Sequence, residues 1–333
     1  MSGFNKLAGK KSVADLVPES QMRVVYLDQN AASLLAKPDT GAIWQEIRGV
    51  LAAGFRDRQI ISPLPFEGVF ESAALPLPIR QAVQCFFWQV SGGLAFKEFT
   101  EMSCELTLAL IRPDSSWSPW LRWLPIWAEM DGTAQKISSD WRAGKERMMV
   151  RMNNFVESPN LKTMSKRQLF RAISAQRSMR IYNDLDFLVA GEVNSASIMH
   201  PWLLQYLKSQ NISPAEIEAL RRAIKYHGWA RIQIHALDIL LGTQWEYDSL
   251  RGGAARYEAN DEIDRKRAAM ALNYADLFIT EGGMADLCRR AKISDYSSTI
   301  VVSVRDPKNI LDAVRSLARS QPSEEDSGHK LSE

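Results

Sequence analysis

Val24-Val25-Tyr26-Leu27-Asp28-Gln29-Asn30 is an apolar run that stops abruptly at an acid, and its reading decides the fold. A short β-branched and aromatic run without polar alternation is the pattern of a strand buried on both faces, as in a parallel sheet. Its counterpart stands far along the chain. Asn260-Asp261-Glu262-Ile263-Asp264 opens a helical stretch, and Tyr274-Ala275-Asp276-Leu277-Phe278-Ile279-Thr280-Glu281 follows it. Both runs are predicted as parallel strands with carboxylates at their carboxyl ends, the edge at which open α/β sheets bind ligands. Acids converging on one edge repel one another and lose hydration, so a bound cation is the expected compensation. That combination points to metal-dependent phosphate chemistry.

Outward from these runs, Ile60-Ile61 and Thr299-Ile300-Val301-Val302-Ser303-Val304 read as further strands. A helix over Asp39–Ala53 places Trp44, Ile47, Val50 and Leu51 on one face. The fold class expected is α/β, a small parallel sheet of about four to six strands flanked by helices, with a large all-helical insertion. Apolar spacing predicts helices over 78–112, 139–157, 164–182, 199–209, 213–241 and 261–274. Ser213-Pro214-Ala215-Glu216 supplies a start signal, with serine to cap and proline in the first turn. The domain organisation expected is a flexible arm over 1–20, a core formed by 21–112 with 256–318, an insertion over 113–255, and a disordered tail over 319–333.

With 46% hydrophobic and 24% charged residues over 333 positions, the chain is a globular protein able to bury a large core. A net charge of +2 is no global polyanion-binding signature, so contact with nucleic acid has to be local. Cys85, Cys104 and Cys288 form no CxxC or Cys/His cluster, which argues against zinc and for a reducing compartment. Without a leader-like apolar run or a bilayer-length uncharged stretch, a cytoplasmic protein with no membrane partner is expected. His200, His227 and His235 lack ligand spacing and read as structural, and there is no glycine-rich phosphate loop.

Glu67 and Glu71, at i,i+4, share a helix face, as do Asp261 and Asp264 at i,i+3. Taken with these acids, the chain resembles the PIN-like nuclease superfamily. Leu27-Asp28-Gln29-Asn30 is similar to its opening strand–Asp–x–Asn, and Pro63-Leu64 with Glu71 to a Pro-Leu-Ser…Glu signature of some subfamilies. Val90-Ser91-Gly92-Gly93 sits where such proteins carry a Ser-Gly helix break. Asn260-Asp261-x-x-Asp264, then Tyr274-x-Asp276-x-Phe278-x-Thr280-Glu281, is similar to the distal acidic motif. The likeness covers roughly 22–112 and 258–305. It departs at Pro65, where serine is expected, at Gly68, where histidine is common, and at Thr280-Glu281-Gly282, where Thr-Asp is usual.

The resemblance implies a metal-dependent nuclease, with RNA favoured over single-stranded DNA. Mg²⁺ or Mn²⁺ would be held by Asp28, Glu71, Asp264 and Glu281, with Asp261 and Asp276 as further ligands and Asn30 orienting Asp28. Such ions favour carboxylate and water oxygens and activate a water for in-line attack at phosphorus. Arg265-Lys266-Arg267 adjoins Asp264 and is the basic run best placed to hold a phosphate backbone. Lys166-Arg167-Gln168-Leu169-Phe170-Arg171 and Arg221-Arg222-Ala223-Ile224-Lys225 read as solvated helix faces. Trp117, Trp120, Trp123 and Trp127 read as core or partner surface before base-stacking platforms. Two other functions compete. One is a weakened PIN-like scaffold that binds nucleic acid or a protein partner through the insertion. The other is a haloacid-dehalogenase-like phosphatase, whose second aspartate is here Asn30.

Overall fold

The computed structural model describes residues 22–65, 68, 75–112, 121–123, 161, 163–190, 201–227, 233–252 and 259–319. Strand β1 (Arg23–Leu27) is central. It pairs in parallel with β2 (Ile60–Ile61) on one side and with β5 (Leu277–Thr280) on the other, and β6 (Ile300–Ser303) pairs in parallel with β5. The result is an all-parallel four-stranded sheet in the order β2-β1-β5-β6, with Tyr26 opposite Phe278 and Leu27 opposite Ile279. A small antiparallel pair, β3 (Leu94–Phe96) and β4 (Leu121–Trp123), lies beside it.

Alternation along the strands divides the core in two. Val25, Leu27, Ile60, Leu277 and Ile279 pack into a cluster with Leu35 of α1 (Gln29–Ala36), Ile47 of α2 (Ala42–Arg56), Phe86 of α3 (Leu77–Ser91) and Ile310 of α11 (Pro307–Arg319). Val24, Tyr26, Ile61 and Phe278 face the other way. Tyr26 meets Phe278 edge-on at 5.5 Å and Phe96 at 4.8 Å between ring centroids. Each such buried aromatic or aliphatic side chain contributes on the order of 1.5–3 kcal/mol, which is why strands this short hold.

That second face is covered by α4 (Phe99–Ala109) and by a helical layer of α5 (Lys166–Ala190), α6 (Pro201–Ser209), α7 (Pro214–His227), α8 (Gln233–Gly252) and α9 (Ala259–Tyr274). Leu169, Ile181, Leu220 and Leu241 from this layer belong to the same cluster as Tyr26 and Phe278. The layer therefore shares the sheet's core. At its N-terminus α7 carries a capping box: Ser213 Oγ accepts from Glu216 N, and Ser213 N donates to Glu216 Oε2 at 2.8 Å.

Several predicted boundaries move for local reasons. The single helix expected over 78–112 breaks at Gly92 and Gly93, whose φ of +60° and +88° turn the chain into β3. The helix expected from Asp39 starts at Ala42, after Pro38 and Asp39 form a turn. The 213–241 stretch is two helices, α7 and α8. The arm 1–20, the helix expected over 139–157 and the tail from 320 lie outside the described residues.

Between α8 and α9 the layer holds a buried ion cluster. Asp238, Gly242 and Glu246 recur every four residues on one face of α8. Asp238 accepts from Arg265 Nε at 2.6 Å and from Arg177 Nη1. Gly242 leaves room for that arginine, since a Cβ there would stand 2.9 Å from Arg265 Nη1. Burial opposes ionisation of Asp238 most strongly, yet Arg265 and Arg177 outweigh it and hold the carboxyl below its ordinary value.

Glu246, two turns on from Asp238, is only 5% exposed, and its Oε2 has no hydrogen-bond partner among the described residues. Burial, reinforced by the Asp238 charge, pushes its carboxyl up to about 7 against the pull of Arg265 and Arg177. A carboxyl raised from an ordinary 4.5 stabilises the fold in its neutral form, below pH 4.5, and loses that stability as pH rises to about 7. Glu246→Gln is therefore expected to match the parent near pH 4.5 and to exceed it by roughly 3 kcal/mol at pH 8. Denaturant melts at the two pH values check this. Equal stabilities at pH 8 would count against it.

Candidate functional site

The chain leaves β1 toward β2 in one direction and reaches β5 and β6 in the other, so a crevice opens between the carboxyl ends of β1 and β5. Asp28 follows β1 and Glu281 follows β5, and the structure brings them together there. Asp28 caps α1: one carboxylate oxygen accepts from Ala31 N at 2.8 Å. The other accepts from Glu281 N at 2.6 Å, and the Thr280 hydroxyl also bonds to the carboxylate. These donors fix the side chain. Asn30, expected to orient Asp28, instead donates its Nδ2 to Glu281 Oε2 at 3.1 Å, because the first turn of α1 carries it across toward β5.

Burial raises the pKa of Asp28, although hydrogen bonds from Ala31, Thr280 and Glu281 and the Arg267 charge oppose it. Glu281 is raised by burial first and by Asp28 next, with Asp261 adding and Asn30 and Arg305 opposing. Two carboxyls from opposite ends of the chain thus share a negative edge where added positive charge is favoured.

The remaining acids sort by position. Because α9 leads back into β5, its first turns lie at the same edge, and Asp261 is within electrostatic reach of Glu281. Asp264 faces Arg267, with Nη1 to Oδ1 at 3.5 Å. Glu67 and Glu71 lie outside the described residues. Gly68, between them, sits where a Cβ would be 3.4 Å from Gln29 Oε1, which puts Gly68 itself beside the start of α1.

Asp276 does not join the group. It precedes β5, at the amino end of the strand, where it accepts from Arg23 Nη1 at 3.1 Å and Val24 N at 2.7 Å. The four-residue strand between them puts it five residue rises, roughly 16 Å, from Glu281. The basic run is also displaced from its expected role. Arg265 and Arg267 are 2% and 5% exposed, and Lys266 Nζ lies 5.7 Å from the centre of the Phe99 ring. Arg265 serves the Asp238 cluster, and Arg267 acts on Asp28 from within. Neither is presented to a phosphate backbone.

Two site residues escaped the sequence reading. Thr280 belongs to the distal motif in the sequence but carries no role there, yet its hydroxyl reaches Asp28. Arg305 stands just past β6 on the same edge, and its position after a parallel strand was the available signal. Its guanidinium packs on Gly282, where a Cβ would be 2.5 Å from Nε and Cζ, so the glycine after Glu281 makes space for it.

Other reactive groups are closed off. Burial pushes the thiols of Cys104 and Cys288 up to about 12. Ser103 Oγ lies 2.9 Å from His235 Nε2, but both side chains are buried. Among the described residues no group of three or more His, Cys, Asp or Glu side chains is arranged to hold a metal ion, and no helix is long and apolar enough to cross a membrane. No protein-family model, curated protein or solved structure matches this chain, so the reading of the site rests on its own geometry.

Proposed function

We propose that the protein is a metal-dependent nuclease, RNA favoured over single-stranded DNA, with its site at the carboxyl edge between β1 and β5. One observation carries this: Asp28 and Glu281, 253 positions apart, are hydrogen-bonded neighbours at the point where the strand order reverses. Mg²⁺ or Mn²⁺ takes one or two carboxylates and completes its shell with water and substrate phosphate oxygens, so Asp28 and Glu281 alone would have to supply the protein's ligands from the described residues. When bound, such an ion supplies an activated water and neutralises charge at phosphorus. Asp28, clamped by its three donors, gives a rigid anionic oxygen, and Asn30 holds Glu281 beside it. Asp261 and Asp264 supply further negative charge from α9, and Glu71 is the fourth carboxylate implied by the PIN-like resemblance. Arg305, whose charge acts on Glu281, would neutralise a phosphate oxygen bound at this edge.

Titration calorimetry with Mn²⁺ tests the reading together with cleavage of labelled RNA. The parent is expected to bind Mn²⁺, and Glu281→Gln to weaken that binding by about tenfold or more. A parent that takes up no Mn²⁺ leaves a non-catalytic scaffold for nucleic acid or a protein partner. Hydrolysis of a simple phosphate monoester without RNA cleavage would move the assignment to a haloacid-dehalogenase-like phosphatase.

A further inference from the structure

The start of α5 and the end of α10 (Gly282–Arg290) meet at an exposed corner. Lys166 Nζ donates to the Arg290 carbonyl at 3.1 Å, and Arg290 Nε bonds Asp248 Oδ2 at 2.9 Å. Lys292 follows two residues past α10, and Arg167 and Arg171 extend the positive surface along α5. With exposed Arg289, six cations stand here against Asp248, Asp286 and Asp295, a net +3. The whole chain carries only +2. The charge gathered at this corner therefore exceeds the net charge of the whole chain, and the buried Arg265 and Arg267 are not part of it.

The helix dipole accounts for Arg289 and Arg290, since cations suit the last turn. It does not account for three other features. Lys292 has φ +55°, the left-handed region where glycine is favoured, so a lysine is retained there at a conformational cost. Lys292 is also close enough to Lys166 for the two like charges to oppose each other. Tyr296, four residues further on, is 57% exposed. A polyanion relieves the charge opposition, and an aromatic ring beside it is the device that stacks an unpaired base. An anionic membrane surface would share the charge attraction but offers no base to stack, so the exposed Tyr296 favours an unpaired strand. Helix α10 starts directly after Glu281 and runs nine residues, about 14 Å, so a strand lying along it joins the corner to the acidic edge.

We infer that this corner binds single-stranded nucleic acid, with Lys166, Arg290 and Lys292 on phosphates and Tyr296 under a base. The inference rests on the proposed nuclease reading for the identity of the polyanion, but binding and cutting are separable. The experiment is fluorescence anisotropy of a labelled oligouridylate with the full chain in chelator, over a series of salt concentrations. Lys166→Gln with Lys292→Gln is expected to weaken binding at least tenfold and to reduce the salt slope by about 1.4. Tyr296→Ala is expected to cost roughly another tenfold with the slope unchanged.

Lys292→Gly keeps the fold safe, because it relieves the left-handed strain. It should bind more weakly while melting no lower than the parent. Parental affinity and slope in the double lysine variant overturn the inference. So does loss of binding to phosphatidylserine vesicles with RNA binding unchanged, which would make the corner a membrane contact. A parent that binds RNA through this corner yet never cuts it with Mn²⁺ removes the nuclease reading alone.

Discussion

An Asp28→Asn protein is expected to cut RNA at least roughly a hundredfold more slowly than the parent, while melting within a few degrees of it. Asparagine keeps the oxygen that caps α1 through Ala31 N, so the helix start survives. It removes the acceptor for Glu281 N and, with it, a buried charge whose ionisation is disfavoured by burial. The two effects on stability oppose each other. The effect on catalysis has no such offset, because an anionic oxygen leaves the proposed ion. The pH dependence carries a sign. Asp28 and Glu281 are both raised above their ordinary values, so the parent loses stability as pH climbs through their titration, and the variant loses less. Initial rates with Mn²⁺, and melting temperatures with and without it, check both halves. Parental cutting by the variant, or a parental melt indifferent to Mn²⁺, sinks the site.

The largest expected effect on folding lies elsewhere. Asp238→Ala should destabilise the protein by about 3–5 kcal/mol, because it strands Arg265 in the core between α8 and α9. Removing both partners is different in kind. Asp238→Leu combined with Arg265→Met takes two charges out of a dry environment and should recover most of the loss. Urea unfolding of the single and double variants measures the coupling directly. A single variant that costs less than about 1 kcal/mol would mean that the cluster is solvated and the pairing dispensable.

The sheet was legible in the sequence because its strands are buried on both faces. Val24 to Leu27 and Leu277 to Thr280 show unbroken apolar character that solvent-facing segments do not sustain. The pairing of Asp28 with Glu281 was legible for the same reason, since each acid ends such a run. Asp276 went astray through neglect of strand direction: it precedes β5, and parallel strands send their amino ends to the opposite edge. Arg265, Lys266 and Arg267 failed differently. Consecutive helical residues point about 100° apart, so a run of three cannot share one exposed face. Which of them turns inward depends on Asp238, a partner 27 positions away that no local pattern announces. Asn30 follows Asp28 closely in sequence, but its hydrogen bond goes to Glu281, a partner decided by the register between β1 and β5.

The central pairing of β1 with β5 also governs how the molecule comes into being. The first strand leaves the ribosome with only β2 available to it, and its other edge waits for a partner about 250 positions downstream. At roughly 5–20 residues per second, that wait lasts about 13–50 seconds. Throughout it, Val25, Tyr26 and Leu27 present an apolar strand with open hydrogen-bonding groups, the kind of surface that pairs with the wrong chain. Truncated or stalled chains would carry the same edge permanently. Synthesis rate and chaperone supply, more than melting temperature, set the yield of a protein whose middle strand is finished last.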